Sequence, residues 1–429
     1  MYPAFLVLKV LILFIILVPA TVSASADQNS SIVDTYENSS IVNTYVYITN
    51  SNCHSVSVID TATNTVIDTV KVGAYPIGVA VAPDGSKVYV ANSGNDTVSV
   101  IDTATNSVTA TVNVGVIPFG VAINPDGTMV YVTNFNSSNV SVINTSTDSV
   151  IATVDVESIP RGVAVVPDGS KVYVANSGNN SVSVINTTTN SVTFNVSVGD
   201  KPIGVAVSMD GSKVYVANHK NESVSVIDTT TNTVTSTMNV GYGPWGVAAS
   251  PDGSKVYVTN AEGTVSVIST ATNDVTETVD VEEFPIGVSV VPDGSKVYVT
   301  NSDSNNVSVI DTATNTVTAT VKVGSNPVSF GQSIGVKQIL IENEPVLPIA
   351  EFSACYVCGK APLTVKFIEN STGSPTSWSW DFGDNCTSTA QNPVHKYCKA
   401  GEYTVSLTVK NAAGCDIENK NQYIIVKCK

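Results

Sequence analysis

Basic and titratable side chains are scarce in this sequence. Of 429 residues, 20 are lysine or arginine and 36 are aspartate or glutamate, so the formal net charge is −16, and Arg161 is the single arginine. Nucleic-acid binding needs clustered basic side chains that replace the counterions of the phosphates, so we expect no nucleic-acid partner. The three histidines, His54, His219 and His395, exclude most metal, haem and general-base chemistry. We assign no catalytic, cofactor-binding or metal-binding residue.

Long apolar runs are also lacking, with one exception near the N-terminus. Residues 5–20 (FLVLKVLILFIILVPA) are apolar apart from one lysine, and small residues follow. This pattern is typical of a secretory signal peptide that is cleaved after Ala24 or Ala26. The alternative is an uncleaved anchor, but about 15 apolar residues are fewer than the ~20 that span a bilayer. We predict a signal peptide at 1–26, a polar leader at 27–44, no membrane insertion after cleavage, and an extracellular protein that is secreted or held at the cell surface.

What the sequence has in abundance is internal repetition. A Tyr-x-x-Asn tetrad, reading YITN, YVAN or YVTN, recurs seven times at intervals of 42 residues, with one interval of 41. The tyrosines are Tyr47, Tyr89, Tyr131, Tyr173, Tyr215, Tyr257 and Tyr298. A proline that precedes a short apolar run follows each tetrad at a constant offset, which a single deletion shortens once. Fixed periods of this length are typical of repeat architectures such as propellers.

Each repeat carries four strand-like runs. In the second repeat these are residues 78–81, 87–92, 97–101 and 107–114, which are rich in valine and threonine and in part alternate with a period of two. The Pro-Asp-Gly and Asp-Thr-Ala-Thr-Asn segments between them are typical turn sequences. Four antiparallel strands cannot bury two faces alone, whereas seven such sheets in a ring cover one another. The sequence therefore predicts an all-β fold with a seven-bladed β-propeller over residues 45–336.

The ends of the repeat region predict how the ring closes. The first repeat starts at Tyr45 without an apolar inner strand, and the last repeat ends with a spare one at residues 327–332. We therefore expect residues 327–332 to supply the inner strand of the first blade. Such a closure ties the two ends of the ring together through the hydrogen bonds of a whole strand.

The tetrads resemble the YVTN family of β-propellers, which is known for surface-layer and cell-surface proteins of methanogenic archaea. The resemblance covers residues 45–336, and seven copies in fixed phase make it specific. It implies a seven-bladed propeller that is displayed outside the cell. Propellers of the WD-repeat type have a similar period, but no Gly-His or Trp-Asp pair recurs here.

A different module follows the repeats. Residues 337–348 form a short proline-bearing linker, and residues 349–429 contain short strand-like runs that predict a small β-sandwich. The segments WDFGD, HKY and GEYTV resemble the polycystic-kidney-disease (PKD) domain, although Asn385 replaces the usual glycine. This resemblance implies an Ig-like β-sandwich that serves as an extracellular spacer or contact module.

Six of the seven cysteines lie in this C-terminal module. In a small exported domain this number predicts three disulfides, for which 15 pairings exist. The cysteines are Cys355, Cys358, Cys386, Cys398, Cys415 and Cys428. Cys386–Cys398 is the favoured disulfide because the two flank one turn-and-strand segment, and zinc binding is the alternative for Cys355 and Cys358. Asp381 and Asp384 are interpreted as turn-forming residues, since two carboxylates are too few ligands for calcium.

Two sets of loops vary between repeats, whereas the turns hardly change. Both variable sets are expected on one face of the propeller, near the channel mouth. There the residue after the proline is Ile77, Phe119, Arg161, Ile203, Trp245, Ile286 or Val328. Variable loops on a fixed scaffold are a common way to build recognition surfaces, so we predict a contact rim with Phe119, Arg161 and Trp245 as anchors. Drift of unconstrained loops is the alternative.

The same loops carry Asn-x-Ser/Thr sequons, which are candidate N-glycosylation sites on an exported protein. The loop sequons are Asn95, Asn136, Asn179, Asn221 and Asn306. Glycosylation at these positions would agree with a cell-surface location.

Together these features predict a non-catalytic cell-surface or surface-layer protein that contacts other surface proteins or glycans, or further copies of itself. One alternative is a propeller enzyme, either lactonase-like or with a redox cofactor in the channel. Such a site needs converging carboxylates, arginine or histidine, and the predicted inner strands (GVAV, GVAI, GVAA, GVSV) offer no ionisable group. A second alternative is a dedicated carbohydrate- or peptide-binding protein that uses the variable rim. No cofactor is expected.

Overall fold

The computed structural model describes residues 40–340 and 346–428, and within the first range it describes the side chains of residues 43–336. The predicted signal peptide and most of the polar leader lie outside the described residues. The described part of the chain is built from strands, with one 3₁₀ turn at Ser51–Cys53 and no α-helix. It accordingly contains no helix long and apolar enough to cross a membrane.

Seven four-stranded antiparallel sheets form the blades of a propeller, as predicted. We number the blades 1 to 7 in chain order and name the strands of each blade inner, second, third and outer. The strand that carries the Tyr-x-x-Asn tetrad is the second strand of its blade. The chain therefore runs outward through each blade and returns to the centre in the next one.

The strand bounds repeat closely from blade to blade. The inner strands of blades 2 to 7 are Pro76–Val81, Pro118–Ile123, Pro160–Val165, Pro202–Val207, Pro244–Ala249 and Pro285–Val290. The second strands of blades 1 to 7 are Ser40–Asn50, Lys87–Asn92, Met129–Asn134, Lys171–Asn176, Lys213–Asn218, Lys255–Asn260 and Lys296–Asn301. The third strands are Ser55–Asp60, Thr97–Asp102, Asn139–Asn144, Ser181–Asn186, Ser223–Asp228, Thr264–Ser269 and Asn306–Asp311. The outer strands are Thr65–Lys71, Ser107–Asn113, Ser149–Asp155, Ser191–Ser197, Thr233–Asn239, Asp274–Asp280 and Thr316–Lys322.

Each blade buries both of its faces against its neighbours. In blade 2, Val88 and Val90 pack in an apolar cluster with blade 1, while Tyr89 and Val98 pack in a cluster with blade 3. All four side chains have no exposed surface. Burial of a valine stabilises the fold by roughly 1.5 kcal/mol or more, so the core of the propeller lies between the sheets.

A lysine at the start of the second strand links most blades to the next one. Lys87 Nζ donates hydrogen bonds to the Thr145 carbonyl oxygen at 2.8 Å and to Asp148 Oδ2 at 2.9 Å, both in the third-to-outer turn of blade 3. The equivalent bonds run from Lys171 to Thr229, Lys213 to Thr270, Lys255 to Thr312 and Lys296 to Thr61. The Lys296 bond joins blade 7 to blade 1, and blade 3 has Met129 in place of the lysine. This link gives the constant third-to-outer turns a structural role.

The asparagine of the tetrad fixes a second contact between blades. Asn92 Nδ2 donates to Thr97 Oγ1 at 3.1 Å and to Ser99 Oγ at 2.9 Å on the third strand. Gly73, which follows the outer strand of blade 1, lies so close to this side chain that a Cβ would stand 2.6 Å from Asn92 Cγ. A larger residue would therefore force the two blades apart.

The closing strand of the ring is not the one predicted. Ile334–Leu340 pairs with the second strand of blade 1, with Val46 opposite Ile334 and Ser40 opposite Leu340. Residues 327–332 begin beside blade 1, with a bridge from Pro327 to Asn50 and a hydrogen bond from Val328 N to the Thr49 carbonyl oxygen at 3.0 Å, and then make isolated bridges to blades 2 and 3. The reason is that Ile334 lies seven positions after Pro327, whereas Val79 lies three positions after Pro76 in blade 2. The extra residues leave the ladder and enter the channel, and the ring extends beyond 45–336 at both ends.

The C-terminal module is a β-sandwich, as predicted. One sheet contains Phe352–Ala354, Leu363–Glu369 and Val394–Tyr397. The other contains Cys358–Lys360, Gly414–Lys427, Gly401–Asn411, Ser377–Asp381 and Thr387–Ser388, in that spatial order. The two sheets share a core of aromatic and branched side chains in which Trp380 has no exposed surface and lies 5.1 Å from the Phe352 ring.

The aspartates of the Pro-Asp-Gly-type turns accept hydrogen bonds that favour their ionised form. Ser250 Oγ donates to Asp252 Oδ1 at 2.5 Å and Ser254 N donates to the same atom at 3.0 Å. These bonds lower the pKa of Asp252 to about 2, and the bond from Ser208 leads the causes that lower the pKa of Asp210 to about 2. The turns of blades 5 and 6 are therefore held by charge-assisted hydrogen bonds.

We expect the closing strand to control the stability of the propeller. A chain that ends at Leu340 keeps Ile334–Leu340, whereas a chain that ends at Asn326 loses it together with the buried Phe330. The shorter chain should lose at least about 3 kcal/mol of unfolding free energy, since burial of a single phenylalanine is worth that much. Thermal unfolding followed by circular dichroism measures the difference, and equal melting temperatures of the two chains would contradict it.

We also expect acid to destabilise the propeller through its turns. A folded-state pKa below the unfolded value stabilises the fold above about pH 4, and this stabilisation is lost as the pH falls towards 2. The Asp210→Asn/Asp252→Asn double variant should therefore show a shallower fall of melting temperature between pH 4 and pH 2 than the unmodified chain. If the melting temperatures of the two proteins fall equally between pH 4 and pH 2, Asp210 and Asp252 do not contribute to the acid sensitivity.

Candidate functional site at the channel mouth

The predicted rim residues come together at one mouth of the propeller channel. Phe119, Ile203, Ile286, Val328 and Phe330 form one apolar cluster, and Ile77, Phe135, Trp245 and Phe284 pack against it. The rim residues stand at the start of the inner strands, where a bulge interrupts the ladder after the proline. The inner strands of blades 2 to 7 carry one charged side chain, Arg161. The inner strands therefore contribute an apolar ring and one cation to the mouth.

The backbone of Arg161 is held firmly against blade 3. Thr133 Oγ1 donates a hydrogen bond to the Arg161 carbonyl oxygen at 2.6 Å, and Gly120 N donates to Thr133 Oγ1 at 2.8 Å. A Cβ on Gly120 would lie 2.3 Å from the same carbonyl oxygen. The absence of a side chain at this position therefore allows the close approach that places Arg161 beside the phenylalanines of blade 3.

The guanidinium of Arg161 lies among three aromatic rings. Its Cζ is 5.1 Å from the centre of the Phe119 ring, 5.0 Å from Phe135 and 5.6 Å from Trp245. Each distance is within the range of a cation–π interaction, which is worth roughly 0.5–2 kcal/mol. Arg161 starts from blade 4 and reaches residues of blades 3 and 6, so it extends over the mouth. We call Phe119, Phe135, Arg161 and Trp245 the arginine cage.

Among the residues that the structure describes, no carboxylate forms an ion pair with this arginine. The ion pairs formed by the described residues are Lys87–Asp148, Lys420–Glu351 and, when its histidine is protonated, His395–Asp384. Burial lowers the pKa of the Arg161 guanidinium. Burial also lowers the pKa of Lys201, and the positive charges of Arg161 and Lys220 lower it further. Arg161 and Lys201 are therefore close enough for their positive charges to act on each other.

Polar N–H groups of the cage are left without acceptors. Arg161 Nε and Trp245 Nε1 are both buried and have no hydrogen-bond partner. An unsatisfied buried donor costs roughly 1–3 kcal/mol, so such groups are rare in folded proteins and each needs an explanation. An external acceptor bound at the mouth would supply one. The Trp245 ring is also fixed from two sides, at 5.3 Å from His219 and 6.0 Å from Phe284.

The extra residues of the ring closure form the floor of the site. Phe330 is 6% exposed and its ring lies 5.4 Å from Phe119. Val79 N donates to the Phe330 carbonyl oxygen at 3.2 Å, and Val81 N donates to Gln332 O at 3.1 Å. This insert therefore occupies the channel beside blades 2 and 3 and supports the arginine cage from below.

Two surface grooves differ from the mouth in their chemistry. One of about 490 Å³ lies between blades 4 and 5, and one of about 450 Å³ lies between blades 1 and 2. Their linings are valine, glycine and short polar side chains, with Lys71 as the one charged residue. They lack both the aromatic rings and the unpaired buried donors of the mouth, so the mouth is the candidate site.

The loop sequons have a structural role that the sequence did not reveal. Asn95 Oδ1 accepts a hydrogen bond from Ala74 N, Asn179 Oδ1 accepts one from Ser158 N at 2.9 Å, and Asn221 Oδ1 accepts one from Asp200 N. These bonds join the second-to-third loop of a blade to the loop that enters the blade. Asn136 is exposed, and Asn306 is half-buried and accepts a bond from Asn301 Nδ2 at 2.7 Å. Glycosylation of these residues stays a prediction.

The predicted disulfides do not appear in the structure. Cys355, Cys358, Cys386, Cys398, Cys415 and Cys428 are all free thiols and all exposed, and Cys53 is free as well. The six thiols lie outside the aromatic core of the sandwich, so that core forms without cross-links. The favoured Cys386–Cys398 pairing is likewise not formed.

Two members of the site escaped prediction from sequence. Phe135 lies in a loop that otherwise reads as asparagine and serine, and Phe330 lies in a segment predicted as a plain strand. An aromatic residue in a polar loop is the signal that could have identified Phe135. Phe330 could not be placed without knowing where the closing strand begins.

Comparison with known families identifies both modules. A YNCE-like β-propeller model matches residues 7–158 and 150–377, and a PKD-domain model matches residues 342–426. These matches agree with the predicted propeller and PKD-like sandwich. A propeller followed by a PKD domain indicates an extracellular module.

Short segments of the chain are similar to parts of larger proteases. A segment of 57 residues is 39% identical to collagenase ColA of Bacillus cereus and covers 13% of this chain and 6% of that protein. A segment of 86 residues is 36% identical to the pre-pro-metalloprotease PrtV of Vibrio cholerae and covers 20% and 9%. A segment of 60 residues is 47% identical to a microbial collagenase of Vibrio alginolyticus and covers 13% and 7%. This chain spans less than a tenth of each relative, so the similarity does not extend to a protease as a whole.

Solved structures share the propeller fold at low identity. Hydrazine synthase of Kuenenia stuttgartiensis aligns with a TM-score of 0.56 and 24% identity over 63% of this chain and 96% of that chain. A functionally unknown protein from Desulfotomaculum acetoxidans aligns with a TM-score of 0.61 and 18% identity over 68% and 98%. These likenesses concern the fold alone. The repeats, the blades and the family match agree, and the chain belongs to the YNCE-like β-propeller family, with a PKD domain after its propeller.

Proposed function

We propose that this protein is a non-catalytic recognition module of the cell surface or of a surface layer, and that its propeller mouth binds a carboxylate group of a surface protein or glycan. The observation that carries the proposal is the unpaired Arg161 within the arginine cage. A partly buried guanidinium without a counter-ion has lost hydration that a bound carboxylate would replace by charge-assisted hydrogen bonds.

The aromatic rings favour a ligand that has an apolar or ring-shaped face beside its carboxylate. Trp245 is partly exposed and is held in place by His219 and Phe284. Rigid aromatic anchors of this kind carry much of the energy in recognition sites, and tryptophan and arginine are enriched among them. An acidic sugar or an acidic side chain of a protein loop presents both features at once.

A catalytic role has less support. Acid–base or covalent catalysis needs a positioned carboxylate, histidine or nucleophile near the substrate. The inner strands of blades 2 to 7 contribute Arg161 and otherwise apolar, glycine, proline and serine side chains. His219 is the titratable side chain in contact with the cage, and burial lowers its pKa. Among the described residues its Nδ1 has no hydrogen-bond partner, so no carboxylate orients the ring as in a catalytic triad.

A cell-surface setting supports the same proposal. The PKD domain is an extracellular module, and the tetrads resemble propellers of surface-layer proteins. A negatively charged exterior limits non-specific association with other acidic surfaces. One cationic mouth on such an exterior gives a defined point of contact for other surface proteins, for glycans or for a further copy of the chain.

We expect the loss of the Arg161 charge to abolish binding at the mouth. Acidic oligosaccharides and acidic peptides, each with its neutral amide counterpart, are titrated into the full chain at low and high salt and followed by calorimetry. A carboxylate probe should bind the unmodified protein at least tenfold more tightly than Arg161→Gln, and more weakly at high salt. Whether the sugar or the peptide series binds identifies the ligand class.

Lys322→Gln is the matched control for this experiment. Lys322 is an exposed lysine at the end of the outer strand of blade 7, so the variant removes the same charge at a distance from the mouth. Its affinity should equal that of the unmodified chain. Equal binding by Arg161→Gln, or equal binding of the neutral probes, would sink the proposed function.

A further inference from the structure

We propose that Asp384, Cys386 and His395 form a binding site for a transition-metal ion of the zinc type in the PKD domain. One ligand atom from each of the three residues lies within 4.8 Å of the other two. Tetrahedral zinc holds nitrogen, oxygen and sulfur ligands roughly 3.5 Å from one another, so small side-chain rotations bring the three atoms onto one ion.

The turn after the strand Ser377–Asp381 positions two of the ligands. Asp381 Oδ1 accepts a hydrogen bond from Gly383 N at 2.9 Å, and Phe382 N donates to the Cys386 carbonyl oxygen at 3.1 Å. Asp384 Oδ1 accepts a bond from Cys386 N at 3.2 Å. One carboxylate oxygen of Asp381 and one of Asp384 therefore accept hydrogen bonds from the turn backbone, in agreement with their interpretation as turn-forming residues. The second oxygen of Asp384 faces the other sheet, where it meets His395.

The third ligand comes from the opposite sheet and is already oriented. His395 lies on the strand Val394–Tyr397, and its Nε2 is 2.8 Å from Asp384 Oδ2. Its ring stacks on Phe382 at 4.2 Å and 3°, and meets the Tyr397 ring edge-on at 4.7 Å. Packing on two sides fixes the plane of the imidazole, which is the kind of support that metal-binding histidines receive in folded sites.

The donor set decides which metal fits. A thiolate, an imidazole and a carboxylate suit zinc or cobalt, whereas calcium and magnesium prefer six or more oxygen ligands. Metal binding releases the proton of the Cys386 thiol, and the His395 imidazole coordinates through Nε2 with its proton on Nδ1. Three protein ligands leave the fourth tetrahedral position for water or an external group.

This site revises two interpretations of the sequence. The sequence offers Cys355 and Cys358 as alternative zinc ligands, whereas the cluster of metal-ligating side chains among the described residues contains Cys386. The predicted Cys386–Cys398 disulfide uses the same sulfur atom, which cannot form a disulfide and bind a metal ion at once. The structure has Cys386 as a free thiol. Asp384 and Cys386 are close in sequence, whereas His395 comes from the other sheet of the sandwich. The cluster therefore bridges the two sheets.

Cobalt titration tests the site on the full chain, purified, reduced and freed of metal. Cobalt(II) bound to a thiolate gives a near-ultraviolet charge-transfer band, which should saturate at one ion per chain and disappear when zinc is added. Cys386→Ser should abolish the band, and His395→Gln should weaken cobalt binding at least tenfold. Circular dichroism of both variants confirms that the sandwich remains folded.

Cys415→Ser is the matched control. Cys415 is another exposed thiol of the same domain, and it lies outside the cluster. Its cobalt band should equal that of the unmodified chain. The absence of a band in the reduced protein, or a band that survives in Cys386→Ser, overturns the proposal. A disulfide at Cys386 in protein purified without reductant overturns it as well, and neither result bears on the propeller mouth.

Discussion

The structure depends on one constraint: both faces of each blade are apolar and must be buried against a neighbour. Its second and third strands carry valine on one side and tyrosine or valine on the other, so each sheet requires a neighbour on both sides. Only a closed ring meets this requirement for every blade. The lysine links and the close approach of Gly73 to Asn92 then set the spacing between neighbours.

This constraint also explains where variation can occur. The turns that receive the lysine links make cross-blade bonds, so their residues are fixed by packing and hydrogen bonding. The loops at the opposite face bond one another mainly through backbone groups and asparagine oxygens, as Asn179 does with Ser158 N. Side chains at the rim are consequently free to differ between blades, and one of them is the Arg161 that gives the mouth its charge.

Sequence reasoning reached the fold and part of the site. The interval of 42 residues predicts the blades because the same strand pattern recurs in phase, and the offset from each proline brings Phe119, Arg161 and Trp245 to one rim. It failed at the closing strand, since the residues that pair with blade 1 are set by an insertion that has no counterpart in other blades. Contacts between distant residues, such as Arg161 with Phe135 or His395 with Asp384, depend on side-chain directions that a repeat pattern does not encode.

The insert that carries Phe330 breaks the sevenfold symmetry of the channel. Seven nearly identical blades would give a pore with the same appearance from seven directions, and a ligand on its axis would have no preferred rotation. The insert lies on the side of the channel next to blades 2 and 3, and the Arg161 side chain extends from blade 4 towards Phe119. The mouth therefore differs from one side to the other. A molecule bound at this mouth would therefore have one preferred rotation about the propeller axis, although the scaffold itself is repetitive.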